Sequence, residues 1–410
     1  MHHGPVNRAR RKFLATTTLT ALGLALPCRS AHAETLPPPD LVSLFGADYP
    51  TGVAVCVIRE GRIAFLGAHG WADRERRVPM GVDTVLNIAS VTKTFTSTAI
   101  MQLVETGRLD LDVPIDDYLP YSVRNPRFPD AFLTIRQLLT HRSSLADGPA
   151  YDAGYVCGDP GSTLGDWLAE YLVPGSASYD AERNFHTWAP GTTDPPDEPR
   201  PYSNVGYGLL GNIAERVTRQ LFTELTRERI LAPLGMDGTD WMLSEVDPGR
   251  HAVLYERIPD EAAGESLRSD MNTTLWRDEI EGAGEQGDLR PLCLYGHPTY
   301  PDGFLRSSAA DLARFLLAMT GGGELDGRRV LATATLDSIL DDRHFGRALC
   351  WNSTTLGGRS DTLWYHNGSD PGVMTMLGFR PADGTGIAVL ANCGDPGPGM
   401  GDLIRGALLV

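Results

Sequence analysis

Apolar and polar positions change period along this chain. Val53-Ala54-Val55-Cys56-Val57-Ile58 is an unbroken apolar run of strand length, Glu60-Gly61 offers a tight turn, and Ile63-Ala64-Phe65-Leu66 returns as a second strand. Beyond Ser90 the spacing becomes helical through Ile100, Met101, Leu103 and Val104, and Gly107 is a good terminator. Thr134 to His141 reads as a short helix capped by Thr134. Residues 164–172, 207–218, 221–231 and 308–316 read as further helices, the last ending near Gly321-Gly322-Gly323. The strand pattern then resumes at Thr362–His366, Val373–Phe379 and, after an Asp383-Gly384 turn, Ile387–Ala391, before a final helix from Gly401.

Strands therefore occupy both ends and helices the middle. The layout predicts an α+β fold in which an antiparallel sheet from both chain ends is flanked by helices, with a mostly helical middle subdomain. The division expected is 34–130 with 302–410 for the sheet-bearing part and 131–301 for the helical part. Stretches 146–191 and 245–301 are loop-rich or weakly patterned and are expected to form the substrate walls. No internal repeat is present.

Charge and cysteine content bear on compartment and partners. Arg10-Arg11-Lys12-Phe13-Leu14, the apolar run Leu19–Leu26 and Ala31-His32-Ala33 follow one another as a twin-arginine signal with a cleavage site, predicting 1–33 as a signal peptide. The expected location is periplasmic or secreted; lipidation at Cys28 is a minor option because Pro27 precedes it. The formal charge is −16, and loss of the five cations in 1–33 makes it −21. So acidic a body argues against nucleic acid as a partner. No later stretch is long and apolar enough to cross a membrane. Of the five cysteines left, Cys56 and Cys393 sit in strand-like runs and read as core; Cys157, Cys293 and Cys350 lie in or near loops, and two of the five could pair. No Cys-x-x-Cys or His-Glu-x-x-His occurs, so neither metal nor other cofactor is expected.

The candidate chemistry begins at Ser90-Val91-Thr92-Lys93. Residues three apart on a helix share a face, so Ser90 and Lys93 can touch. A serine is a weak nucleophile until a neighbour takes its proton. A lysine can do so only if its pKa falls well below about 10.4, which burial and a helix N-terminus both favour. Lys12 and Lys93 are the only lysines in the sequence, so removal of 1–33 leaves Lys93 alone. Arginine replaces lysine as a surface cation but not as a base. Tyr202-Ser203-Asn204 follows a Pro-rich loop (194–201) and precedes a helix, where a phenol could shuttle a proton and Asn204 could bind an amide. Gly206-x-Gly208-x-x-Gly211 spells a dinucleotide fingerprint but follows no apolar strand, and is assigned to helix packing. His366-Asn367-Gly368-Ser369 ends a strand whose backbone N–H groups could hold an oxyanion, the glycine admitting substrate closely.

In order and rough spacing, these three boxes resemble those of the serine β-lactamase and penicillin-binding-protein superfamily, in the class C β-lactamase-related branch that also holds DD-carboxypeptidases, D-aminopeptidases and esterases. Leu138-Leu139-Thr140-His141-Arg142-Ser143-Ser144-Leu145, with serine at 144 where glycine is usual, Trp188-Ala189-Pro190-Gly191 and Leu231-Ala232-Pro233-Leu234-Gly235-Met236 are also similar, and the likeness runs from about Asp48 to Asn392. It implies the β-lactamase/transpeptidase-like fold, with Ser90 acylated, Lys93 or Tyr202 as base, and Tyr202 protonating the leaving group. It also implies Asn204, His366, Asn367 and Gly368 binding substrate, and the N–H groups of Ser90 and Ser369 forming the oxyanion hole. His366 stands where many β-lactamases keep a lysine, and a largely neutral imidazole grips a carboxylate less well. The function expected is an exported serine hydrolase acting through an acyl-enzyme on a D-Ala-D-Ala-type peptide, a β-lactam or an ester. The alternatives are an esterase or acyl transferase on a small metabolite, and a non-catalytic penicillin-binding sensor.

Overall fold

The unbroken apolar run at 53–58 belongs to a strand covered on both faces. In the computed structural model, β1 (Gly52–Arg59) is buried almost throughout. Ala54, Cys56 and Ile58 enter the larger core, whereas Val53, Val55 and Val57 enter a smaller one on the opposite face. Each fully buried aliphatic side chain contributes roughly 1.5–3 kcal/mol. The structure describes residues 39–47, 49–195, 201–257, 275, 289–341, 348–355, 360–397 and 399–408. The twin-arginine segment with its cleavage site, Cys28, positions 196–200 of the Pro-rich loop, and 258–274 and 276–288 of the weakly patterned stretch lie outside the described residues.

β1 turns through Glu60 and Gly61, both at positive φ, into β2 (Arg62–Asp73), which runs well past the predicted four residues. The remaining strands are β3 (Val78–Pro79), β4 (Asn352–Thr354), β5 (Leu363–Asp370), β6 (Val373–Arg380) and β7 (Thr385–Ala391). They form one seven-stranded antiparallel sheet in the order β4-β5-β6-β7-β1-β2-β3. The β1–β7 ladder, from Val53 opposite Ala391 to Ile58 opposite Gly386, joins the two ends of the chain. α1 (Leu41–Phe45) and a terminal helix at Gly399–Leu408 supply Leu41, Met400 and Leu403 to the smaller core.

On the other face lies α2 (Thr92–Glu105), buried from Thr92 to Leu103. Ala309–Thr320, capped by Ser308, packs beside it, with Phe315 stacked on Phe95 at 4.1 Å. Thr134 and Gln137 close a capping box on α3 (Ile135–Leu139), and α4 is Leu164–Leu172. α5 (Asn204–Thr218) begins three residues before the apolar period does. The helix predicted at 221–231 is instead Phe222–Thr226 followed by a wider π turn, Arg227–Leu231. Pro233 cannot donate to the Arg229 carbonyl, which takes an N–H from Gln102 instead. Cys157 and Cys293 form a disulfide, while Cys56, Cys350 and Cys393 are buried. No helix among the described residues is long and apolar enough to cross a membrane.

Candidate active site

Ser90 occupies a single tight turn, Ala89–Val91, that runs directly into α2. Ile88 N–H donates to Leu305 O at 2.9 Å and Ala89 N–H to the Asn87 side-chain carbonyl at 2.8 Å, pinning the turn on both sides. Ala89 holds φ +47°, a left-handed conformation that costs a non-glycine residue about 1–2 kcal/mol. β5 presses against this turn. A Cβ on Gly368 would lie 2.7 Å from Ile88 O and 3.0 Å from the Ala89 Cβ, so the glycine is needed by the protein's own nucleophile turn.

Lys93, fully buried, points its ammonium at three acceptors: Ser90 Oγ at 3.3 Å, Asn204 Oδ1 at 2.7 Å and Asp302 O at 2.6 Å. The nitrogen also lies 4.8 Å from the centre of the Tyr202 ring. Burial pulls Lys93 toward the neutral amine, but Tyr202 and Asp302, with Asp147 behind them, outweigh it, and its pKa is raised. Burial and the acidic neighbours thus pull Lys93 in opposite directions. Burial and the helix start were the visible terms, and the surrounding acidic groups were not.

Tyr202 arrives from the Pro-rich loop and stacks on His141 at 4.1 Å. Its phenol is hydrogen-bonded to Lys93 and Ser90; burial raises its pKa while the Lys93 charge opposes the rise. His141 Nδ1 accepts the Ser203 N–H at 3.1 Å, which fixes the loop against α3. Asp147 takes the N–H groups of Asn204 and Val205 at 2.9 and 3.0 Å. With the Ser203 hydroxyl accepting from Gly206 N–H, it satisfies the orphan donors that open α5, which is why that helix starts early.

On β5, His366 through Ser369 lie inside the strand, which continues to Asp370 before the Pro371-Gly372 turn. Alternation puts His366, Gly368 and Asp370 on one face and Asn367 and Ser369 on the other. Asn367 is exposed, so on the Ser90 side this residue offers backbone only. His366 is buried, and its Nδ1–H donates to Asn367 O at 2.7 Å. The structure thus gathers Ser90, Lys93, Tyr202 and Asn204 into one hydrogen-bonded group, with Gly368 against the nucleophile turn, and points the Asn367 side chain away.

Asp147, Asp302 and Asp370 escape the sequence reading. Burial raises Asp302 to about 7 and Asp370 to about 6, and Lys93 counteracts both. The signals are weak: Asp147-Gly148 and Asp302-Gly303 look like ordinary turns, and only Asp370, next to Ser369, was within sight of a motif. A groove of about 840 Å³ lined by residues such as Tyr121, Leu164, Glu215, Met242 and Tyr300 contains none of the candidate residues.

An antiparallel sheet with a serine–lysine pair at the start of a buried helix, faced by a tyrosine and an asparagine, defines a serine hydrolase. A family profile described as Beta-lactamase matches residues 47–410, and the chain belongs to that family. Penicillin-binding protein 4 of Amycolatopsis lactamdurans is 28% identical over 86% of this chain and 84% of its own length. Esterase EstB of Burkholderia gladioli is 31% identical over a stretch that is 65% of each protein, just under two thirds of the esterase. Among solved structures, the octameric penicillin-binding protein homologue from Pyrococcus abyssi has a TM-score of 0.66 at 23% identity, covering 90% of this chain and 75% of that one. The D-amino acid amidase of Ochrobactrum anthropi SV3, complexed with D-phenylalanine, has a TM-score of 0.63 at 24% identity over 87% of this chain and 93% of its own. These two likenesses speak for the fold.

Proposed function

We propose that this chain is an exported serine hydrolase that forms an acyl-enzyme at Ser90 with an amide or ester, the amide being of the D-Ala-D-Ala type. The observation that carries the reading is the hydrogen bond from Lys93 Nζ to Ser90 Oγ, within a site where the same ammonium also binds Asn204 and Asp302. Lys93 keeps its proton, because Asn204 Oδ1 and Asp302 O can only accept. Tyr202, in its deprotonated form beside that ammonium, takes the Ser90 proton as Oγ bonds to the substrate carbonyl carbon. The oxyanion that develops is held by the backbone N–H groups of Ser90 and Ser369. Tyr202 then gives its proton to the departing amine or alcohol as the carbonyl carbon–leaving group bond breaks. In the second half Tyr202 takes a proton from water, the water oxygen attacks the ester carbon, and the proton passes to Ser90 Oγ as that bond breaks.

Export rests on the signal-like residues 1–33 and is supported by the Cys157–Cys293 disulfide, a bond at home in oxidising compartments. A second reading, an esterase acting on a small metabolite, is favoured by the 31% identity to an esterase and by histidine at 366 where a lysine would grip a carboxylate. Labelling with a fluorophosphonate, together with turnover of p-nitrophenyl esters, a chromogenic cephalosporin and a D-Ala-D-Ala peptide, tests both. Peptide turnover supports the first reading. Turnover of the esters alone supports the second, and absence of all turnover contradicts both.

A further inference from the structure

The two halves of the proposed oxyanion hole are linked through two side chains, Asp370 and Asn87. Ser369 N–H lies on β5, and the next residue is Asp370, whose carboxylate is turned inward. Asp370 Oδ1 accepts the Tyr155 hydroxyl at 2.7 Å, and Oδ2 accepts Asn87 Nδ2 at 3.3 Å. Asn87 Oδ1 in turn accepts the N–H of Ala89, the residue before Ser90, at 2.8 Å. A chain of side-chain hydrogen bonds thus runs from one donor segment to the other, Ser369–Asp370–Asn87–Ala89–Ser90, outside the backbone ladder. A second tie, Thr375 Oγ1 to Ile88 O at 2.7 Å, anchors the turn to β6 but does not reach β5.

The far end of the chain is built as a wall. Tyr155 packs on Tyr295 at 5.7 Å and Phe304 at 5.5 Å, and the Tyr295 hydroxyl donates to Pro371 O at 2.7 Å. Cys157 and Cys293, each two residues from one of these tyrosines, are bonded to each other. The wall therefore grips Asp370 and Pro371 together, at the end of the strand that carries the Ser369 N–H.

Resting on the acyl-enzyme reading above, we infer that Asp370 and Asn87 are positioning residues that set the spacing between the Ser90 and Ser369 N–H groups, with Tyr155 holding Asp370 in place. An oxyanion hole works through preorganisation, so a shift in that spacing lowers kcat and leaves ground-state binding nearly untouched.

The test is a swap. Asp370→Ala is expected to lower kcat for a p-nitrophenyl ester about ten- to a hundredfold with KM within about threefold. Asn87→Asp sets two carboxylates against each other and is expected to lower kcat by at least about tenfold. The double variant Asn87→Asp/Asp370→Asn restores the pair with donor and acceptor exchanged, and position 370 keeps an oxygen for Tyr155. It is expected to recover to within about threefold of the unaltered enzyme. A double variant no better than Asn87→Asp, or an Asp370→Ala enzyme with unaltered kcat, overturns the inference. Should Asp370→Ala fail to fold, the swap decides alone. Full turnover by Ser90→Ala overturns the acyl-enzyme reading and this inference with it. An inactive Ser90→Ala beside a fully active Asp370→Ala overturns only the inference.

Discussion

In the proposed reaction Tyr202 and Lys93 divide the task. The Lys93 ammonium donates to Asn204 Oδ1 and Asp302 O, and the proposal gives the proton transfer to the phenol. Tyr202→Phe is expected to lower kcat about 10²–10⁴-fold with KM little changed, measured on a p-nitrophenyl ester. Because burial raises the Tyr202 pKa, the reactive form, a phenolate beside the Lys93 ammonium, is a minor one at neutral pH. Activity should therefore climb with pH to the alkaline end of the enzyme's stable range; a profile flat from neutrality upward contradicts this. Lys93 was legible because no other lysine follows residue 12, and Ser90 because it lies one turn before it. Asp147 and Asp302 were not, since their meaning comes from tertiary neighbours. Ser144 shows the reverse case. Its φ of +60° explains why glycine suits the position, and its hydroxyl accepts from Asn125 at 3.0 Å. Ser144→Ala and Ser144→Gly both lose that bond and only alanine keeps the strain, so Ser144→Ala should unfold at lower denaturant than Ser144→Gly, being less stable by about 1 kcal/mol.

At the scale of elements, α5 carries the logic of the site. Its glycines read as a possible nucleotide fingerprint by spelling, yet they serve contact. A Cβ at Gly208 would lie 2.7 Å from the Thr299 Cβ, and one at Gly211 2.5 Å from the Pro301 Cγ. The segment they press on supplies the Asp302 carbonyl that holds Lys93. Gly211→Ala should therefore cost about 1–3 kcal/mol of stability and also lower kcat, whereas a surface change on the same helix should do neither. Denaturation and turnover measured on one preparation separate the two effects. The strands and most helices were legible from apolar period alone, including α4 at Leu164–Leu172. The start of α5 and the break at 227–231 were not. Asp147 comes from a distant loop to cap one, and Pro233 acts across four residues to widen the other.

For the molecule as a whole, two features lie beyond the reach of periodicity. The Cys157–Cys293 bridge closes a loop of 136 residues, and its removal by Cys157→Ser/Cys293→Ser should cost about 2–5 kcal/mol, read as a lower urea midpoint. Sequence offered five cysteines and no pairing. The second feature is acid sensitivity. His297 is buried and His251 partly so, and desolvation lowers each from 6.5 to about 4. The folded form thus binds fewer protons than the unfolded chain between those values. The stability the two histidines contribute is complete above pH 6.5 and is lost as pH falls toward 4. Asp302 and Asp370, whose pKa values are raised, act in the opposite sense as pH falls. His251→Gln should lose less stability between pH 8 and pH 5 than the unaltered protein, measured by urea midpoint; an equal loss would count against the burial argument.

The whole account turns on a covalent bond to one oxygen. Acid-quenching the enzyme during ester turnover and mapping the trapped adduct by peptide mass spectrometry tests it most directly. The acyl mass should sit on Ser90, vanish in Ser90→Ala, and accumulate to less in Tyr202→Phe. An adduct on another residue, or turnover by Ser90→Ala at the unaltered rate, contradicts it.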